Sequence, residues 1–222
     1  MVALLDLLLP PRCGSCRALG SWLCAPCRVK IRRLEEPLCP RCGAEGESRR
    51  CPCLSRLRHL SRLRAVAAYE GPLERAIHRF KYEGWRALAR PLARLLDDRL
   101  AVDGLPAGLL TPVPLHPSRR RRRGYNQSEL IARELSRSLR LPLATGLQRL
   151  RDTPPQVGLD RLRRRENVEA AFRWQGSLLG GQPILLVDDV ATTGATLEAC
   201  ATALKAAGSG SVTGIVLARV RI

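Results

Sequence analysis

Asp188 and Asp189 stand between an aliphatic run and a loop of small and hydroxyl residues, and the three pieces together describe a site for a phosphorylated sugar. Ile184, Leu185, Leu186 and Val187 follow Pro183 as four consecutive aliphatics, the pattern of a strand buried on both faces of a parallel sheet. The aspartates therefore fall at its carboxyl end. After Val190, the run Ala191, Thr192, Thr193, Gly194, Ala195 and Thr196 can turn its N–H groups and hydroxyls around an anion, with a helix N-terminus behind them. The loop holds no lysine, and the chain has neither Gly-x-x-x-x-Gly-Lys-Ser/Thr nor Gly-x-Gly-x-x-Gly, so nucleoside-triphosphate and dinucleotide grips are absent. A single phosphate is implied. Two carboxylates one step before it suit the vicinal hydroxyls of a ribose whose 5′-phosphate occupies the loop.

A second loop should face the same ligand. The run from Leu110 to His116 leads into Arg119–Arg123 and then Gly124, Tyr125, Asn126 and Gln127, just before a helical pattern. Gly124 permits close backbone approach, Asn126 or Ser128 can cap the helix, and the arginines supply cations for a pyrophosphate. Residues 149–167 carry Pro154, Pro155, Gly158 and Arg161, Arg163, Arg164 and Arg165, and read as a basic flap able to close over polyphosphate. His59 and His78 read as core or surface residues, whereas His116 adjoins the second loop.

Eight of nine cysteines lie within the first 53 residues, as Cys13-x-x-Cys16, Cys24-x-x-Cys27, Cys39-x-x-Cys42 and Cys51-x-Cys53. Thiolates on tight turns bind one zinc in pairs, and four such turns serve two ions. Pairing in sequence or as an interleaved cross-brace is equally open to this spacing. Disulfides would require an oxidising compartment, and residues 1–10 lack a basic n-region, contain Asp6 and are too short to span a bilayer, so neither secretion nor membrane insertion is expected. Cys200, alone in an apolar pattern, reads as core.

The formal net charge of +18 is unevenly distributed. Residues 1–66 hold 13 basic against 5 acidic side chains and residues 117–165 hold 14 against 4, while the end bearing Asp188 and Asp189 is near neutral. A sequence pI near 10.9 favours polyanionic partners. Only eight residues are aromatic, which argues against an extended base-stacking platform, although Trp22, Tyr125 and Trp174 remain candidates.

The elements that must position these groups follow from periodicity. Strands fit 65–69, 109–116, 141–144, 183–190 and 212–220, and helical spacing fits 85–100, 126–139 and 196–207. Their alternation predicts an α/β domain with a parallel sheet covered on both faces. With 222 residues the chain holds one such domain over 59–222 and a small metal-dependent module over 1–58.

The strand, the paired aspartates and the Thr-Thr-Gly loop resemble the phosphoribosyl-pyrophosphate (PRPP) motif of type I phosphoribosyltransferases. With the cysteine module, Lys81-Tyr82-x-Gly84, the segment from Pro112 to Gln127 and that from Gln156 to Phe172, the whole chain is similar to the ComF family of competence proteins. The resemblance implies a type I phosphoribosyltransferase fold with an N-terminal zinc-ribbon module, structural Zn²⁺, and Mg²⁺ accompanying PRPP. It implies that Asp188 and Asp189 contact the ribose as catalytic residues, and that Lys81, Arg123–Gln127 and Val190–Thr196 bind the phosphates. It also implies a cytoplasmic role with single-stranded DNA during natural transformation, beside the helicase machinery of DNA uptake. Two other classes stay open, a nucleotide-salvage phosphoribosyltransferase and a zinc-stabilised nucleic-acid-binding regulator with PRPP as effector. Transfer to a base would need a hood that grips the acceptor, and the basic cysteine module is the only candidate for one.

Overall fold

The computed structural model describes residues 10–46, 51, 53–104, 107–151 and 171–220. Two short helices, α1 (Ala25–Val29) and α2 (Cys53–Arg56), belong to the cysteine module. After them come β1 (Leu60–Ala68), α3 (Gly71–Tyr82), α4 (Ala89–Asp103), β2 (Leu109–Pro112), α5 (Pro117–Arg123) and α6 (Gln127–Leu139). The chain then forms β3 (Leu147–Arg149), β4 (Phe172–Trp174), β5 (Ile184–Ala191), α7 (Ala195–Ala206) and β6 (Val212–Arg219).

Strands β1, β6, β5 and β2 form one parallel sheet in that order, and β3 pairs antiparallel with β4 in a separate two-stranded sheet. The central strand β5 is aliphatic because both its faces are covered. Leu185 and Val187 join Ile215, Leu217 and the buried sides of α3, α4 and α6, while Ile184 and Leu186 join Val212, Val216 and the buried side of α7. Both cores extend into the cysteine module. Cys13 and Cys27 pack into the first and Cys39, Cys42 and Cys53 into the second, so the module straddles the sheet edge. Its backbone is also tied to β1: Arg33 bridges Ala67, and the Leu63 N–H donates to the Arg41 carbonyl at 2.7 Å.

Several elements depart from the periodicity. The first strand starts at Leu60, five residues before the apolar run, and includes Arg64, whose guanidinium donates to the carbonyls of Leu63 and Pro40. Residues 71–82 form a helix that buries Leu73, Ala76, Ile77 and Phe80. The strand expected over 109–116 ends at Pro112, and 141–144 contributes a single bridge, Leu110 to Leu143. The arginine run is a helix begun by Pro117 and capped by His116, whose side chain accepts from the Ser118 N–H. Most of the basic flap expected over 149–167 falls in the segment 152–170, which lies outside the described residues. Its two ends are joined by the β3–β4 pair and by the Leu150 N–H donating to the Ala171 carbonyl at 2.8 Å.

Candidate functional site

Strand β5 delivers Asp188 and Asp189 to the C-terminal side of the sheet, and the chain then turns through Thr192, Thr193 and Gly194 into α7. Gly194 adopts φ +84°, a left-handed conformation at the helix N-cap that an L side chain would strain. Asp188 and residues 190–197 line a small, partly open cleft of about 90 Å³, room for a phosphate group rather than for a whole drug-sized ligand. Its polar character comes from Asp188, the hydroxyls of Thr192, Thr193 and Thr196, and the backbone N–H groups that open α7.

The carboxylates are held differently. Asp189 is buried and lies 2.6 Å from Lys81 Nζ, which α3 carries in its last turn. Burial disfavours the Lys81 ammonium, but the charge and hydrogen bond of Asp189 outweigh it and raise the Lys81 pKa. Asp188 accepts from Ser128 Oγ at 2.8 Å and from the Asp189 N–H at 2.9 Å. Its surroundings are desolvated and Asp189 adds a like charge, so its pKa rises to about 7 despite the opposing Ser128 bond and Lys81 charge. One carboxylate is thus paired, and the other is poised between its two protonation states near neutrality. Ser128 carries no sequence signature for this role; its contact spans the 60 residues between α6 and β5.

The expected second loop packs inward. Tyr125, Asn126 and Gln127 are all buried. Asn126 caps α6 by accepting from the Ser128 N–H at 3.1 Å, and its amide donates to the Val113 carbonyl at 2.9 Å. Tyr125 donates its hydroxyl to the Phe80 carbonyl, and the Arg123 guanidinium lies 5.1 Å above the Tyr82 ring while donating to Gln127 Oε1 at 2.7 Å. Gly124, at φ +78°, ends α5 and accepts from Arg86. These residues clamp the end of α3, and so the base of Lys81, beside the cleft; none of them lines it. Gln127 Nε2 is buried without a hydrogen-bond partner among the described residues, and it sits next to Ser128 at the start of α6.

The cysteines resolve into two sets of four, Cys13, Cys16, Cys24 and Cys27, and Cys39, Cys42, Cys51 and Cys53, with the sulfurs of each set within 4.8 Å of one another. Pairing is therefore sequential, and the short Cys51-x-Cys53 turn takes part. None of the nine cysteines is joined in a disulfide. Burial disfavours the thiolates of Cys13 and Cys39, yet backbone N–H donors outweigh it and lower them to about 6 and about 7. Four soft donors converging around one point, with at least one readily ionised, fit structural Zn²⁺. His116 is spent on its cap, His78 pairs with Glu83 at the surface, and His59 meets Glu198. Trp22 packs edge-on against Trp85.

Fold and site together define a parallel α/β domain with an acidic, threonine-lined cleft, fused to a paired four-cysteine module. Residues 4–57 match the family described as the double zinc ribbon domain. The chain is 35% identical to DNA utilization protein YhgH of Escherichia coli K12, over 93% of this chain and 96% of that protein. It is 35% identical to competence protein F of Haemophilus influenzae, over 89% and 92%, and 28% identical to competence protein ComFC of Bacillus subtilis, over 89% and 84%. It belongs to the ComF family of competence and DNA utilization proteins. Among solved structures it is distantly similar to the purine phosphoribosyltransferase of Pyrococcus horikoshii, at 16% identity and TM-score 0.38, over 62% of this chain and 84% of that one. No helix among the described residues is long and apolar enough to cross a membrane.

Proposed function

We propose that the chain binds a ribose 5-phosphate compound, with PRPP the ligand that fits best, and handles single-stranded DNA during its uptake or use. The observation that carries this reading is the continuity of Asp188 and the loop 190–196 around one cleft, with Asp189 next to Asp188 in the chain and paired with Lys81. Asp188 and Asp189 receive the ribose hydroxyls, while the N–H groups and hydroxyls of Thr192–Thr196 receive the 5′-phosphate at the α7 N-terminus. Lys81 offsets the carboxylate charge, which lets an anionic ligand approach two aspartates. Because Asp188 is hydrogen-bonded and Asp189 ion-paired, Mg²⁺ would take most of its oxygen ligands from the pyrophosphate itself and few from the chain. Zn²⁺ held by the eight cysteines supplies fold, not chemistry. The DNA part of the reading draws on the relatives named for competence and DNA utilization, and on exposed Arg120, Arg121 and Arg122 along α5. In this reading the protein works in the cytoplasm beside the helicase machinery of DNA uptake, the setting that the family resemblance implies. Phosphoribosyl transfer follows only if an acceptor base is found. Calorimetry with PRPP, with and without Mg²⁺ and then with single-stranded DNA present, tests both parts. Heat from PRPP that changes when DNA is present supports the reading, and no PRPP binding removes it.

A further inference from the structure

Residues 57–60 connect the cysteine module to the sheet and are held from both sides. On the module side, the Leu57 N–H donates to the Cys53 carbonyl at 2.7 Å. Arg41, between Cys39 and Cys42, donates to the Leu57 carbonyl and, at 3.4 Å, to that of Arg58. On the other side stands one carboxylate. Glu198 Oε1 accepts from the N–H groups of Arg58 and His59, each at 2.8 Å, and Oε2 accepts from that of Leu60 at 3.0 Å. His59 Nδ1 adds a contact to Glu198 at 3.0 Å and another to Thr202 Oγ1 at 3.1 Å.

Glu198 is also part of the cleft's support. It lies in the first turn of α7, and its own N–H donates to the Gly194 carbonyl at 2.9 Å. The Leu57 side chain, 1% exposed, packs so close to Gly194 that a Cβ there would come within 3.2 Å of it. A carboxylate so near the loop would repel a phosphate were its charge left free. Three N–H donors and an imidazole face it instead. A glutamate that merely favoured a helix N-terminus would have no need of partners about 140 residues away in sequence.

We propose that Glu198 is a positioning residue for the phosphate loop. Formation of the second cysteine cluster, transmitted through residues 57–60 and Glu198, then sets the loop's affinity for a phosphate ester. The proposal rests on reading 191–196 as the phosphate site. Its bond network predicts that loosening either end of the connection frees the loop without unfolding β5.

The test uses the full zinc-loaded chain and two readouts. Ribose 5-phosphate binding by calorimetry should weaken about tenfold in Glu198→Gln, within the range of couplings between sites in one protein. Amide hydrogen exchange at 192–196 should quicken in Glu198→Gln and in Cys51→Ser, while amides of β5 stay protected as an internal reference. Unchanged exchange and unchanged affinity in folded Glu198→Gln overturn the proposal. If the wild type binds no ribose 5-phosphate, the cradle reading fails, and the exchange data alone still decide whether Glu198 positions the loop. Glu198→Asp, which keeps the charge on a shorter arm, should recover part of the protection that Glu198→Gln loses; no difference between the two variants also counts against the carboxylate's role.

Discussion

Lys81 Nζ and Asp189 Oδ1 meet at 2.6 Å and join the last turn of α3 to the end of β5. Both side chains are largely buried, at 17% and 10% exposure, so neither charge has much water to replace a lost partner. Removing one member of such a pair costs about 3 kcal/mol, and about 6–12 °C in Tm for a chain of this size. Asp189→Asn and Lys81→Met should each show that loss in a thermal melt. Combining them should cost less than the sum, because no charge is then left buried alone. Additive losses would mean that the two groups do not depend on each other.

Asp188 has the opposite sign. Its pKa rises from 3.8 to about 7, so the native chain holds this proton where the unfolded chain has released it. The stability that the proton contributes is full below about pH 4 and is lost as pH rises through about 7. Asn cannot ionise and still accepts from Ser128, so Asp188→Asn should raise Tm at pH 8 and leave it unchanged at pH 4. A variant no more stable than wild type at pH 8 would show that Asp188 ionises at no cost. The double variant Asp188→Asn with Asp189→Asn should lose PRPP binding whatever its stability.

How much of this was legible beforehand varies with the range of the forces involved. Strand β5, its aspartates and the turn at Gly194 are local, and four aliphatics followed by Asp-Asp and Thr-Thr-Gly announce them. Helix α3 was equally open to reading, since Leu73, Ala76, Ile77 and Phe80 keep helical spacing. The start of β1 was hidden because Arg64 is satisfied by carbonyls and by Asp103, a tertiary arrangement that no window of sequence contains. The charge of the arginine run suggests a solvated loop, yet Arg is a good helix former and Pro117 opens the helix. Ser128 and Glu198 were out of reach for one shared reason: each acts on a residue at least 60 positions away.

Sequential pairing of the cysteines makes a stoichiometric prediction. Displacing the thiolates with a mercurial should release about two equivalents of zinc, one for each four-thiolate site. One equivalent would mean that the Cys51 and Cys53 side does not hold metal, and none would remove the metal-dependent module. Chelation should lower Tm as well, because Cys13 and Cys27 share a core with α3, and Cys39, Cys42 and Cys53 share one with α7.

Helix α5 separates nucleic-acid binding from service to a pyrophosphate. Arg120, Arg121 and Arg122 are all exposed at the surface, and Arg120 also pairs with Glu129 at 3.2 Å. Each phosphate of single-stranded DNA neutralised by such a side chain contributes about −0.7 to the slope of log affinity against log salt. Replacing Arg119–Arg122 with Ser should therefore flatten that slope by up to about 3 units, with little effect on Tm because α5 contributes no buried residue. The same variant should keep its ribose 5-phosphate affinity, since none of the four lines the cleft at 188–197. An unchanged slope would exclude α5 from the DNA surface. A flattened slope accompanied by lost PRPP binding would show that the arginines serve the pyrophosphate directly, and would move the chain toward the salvage class.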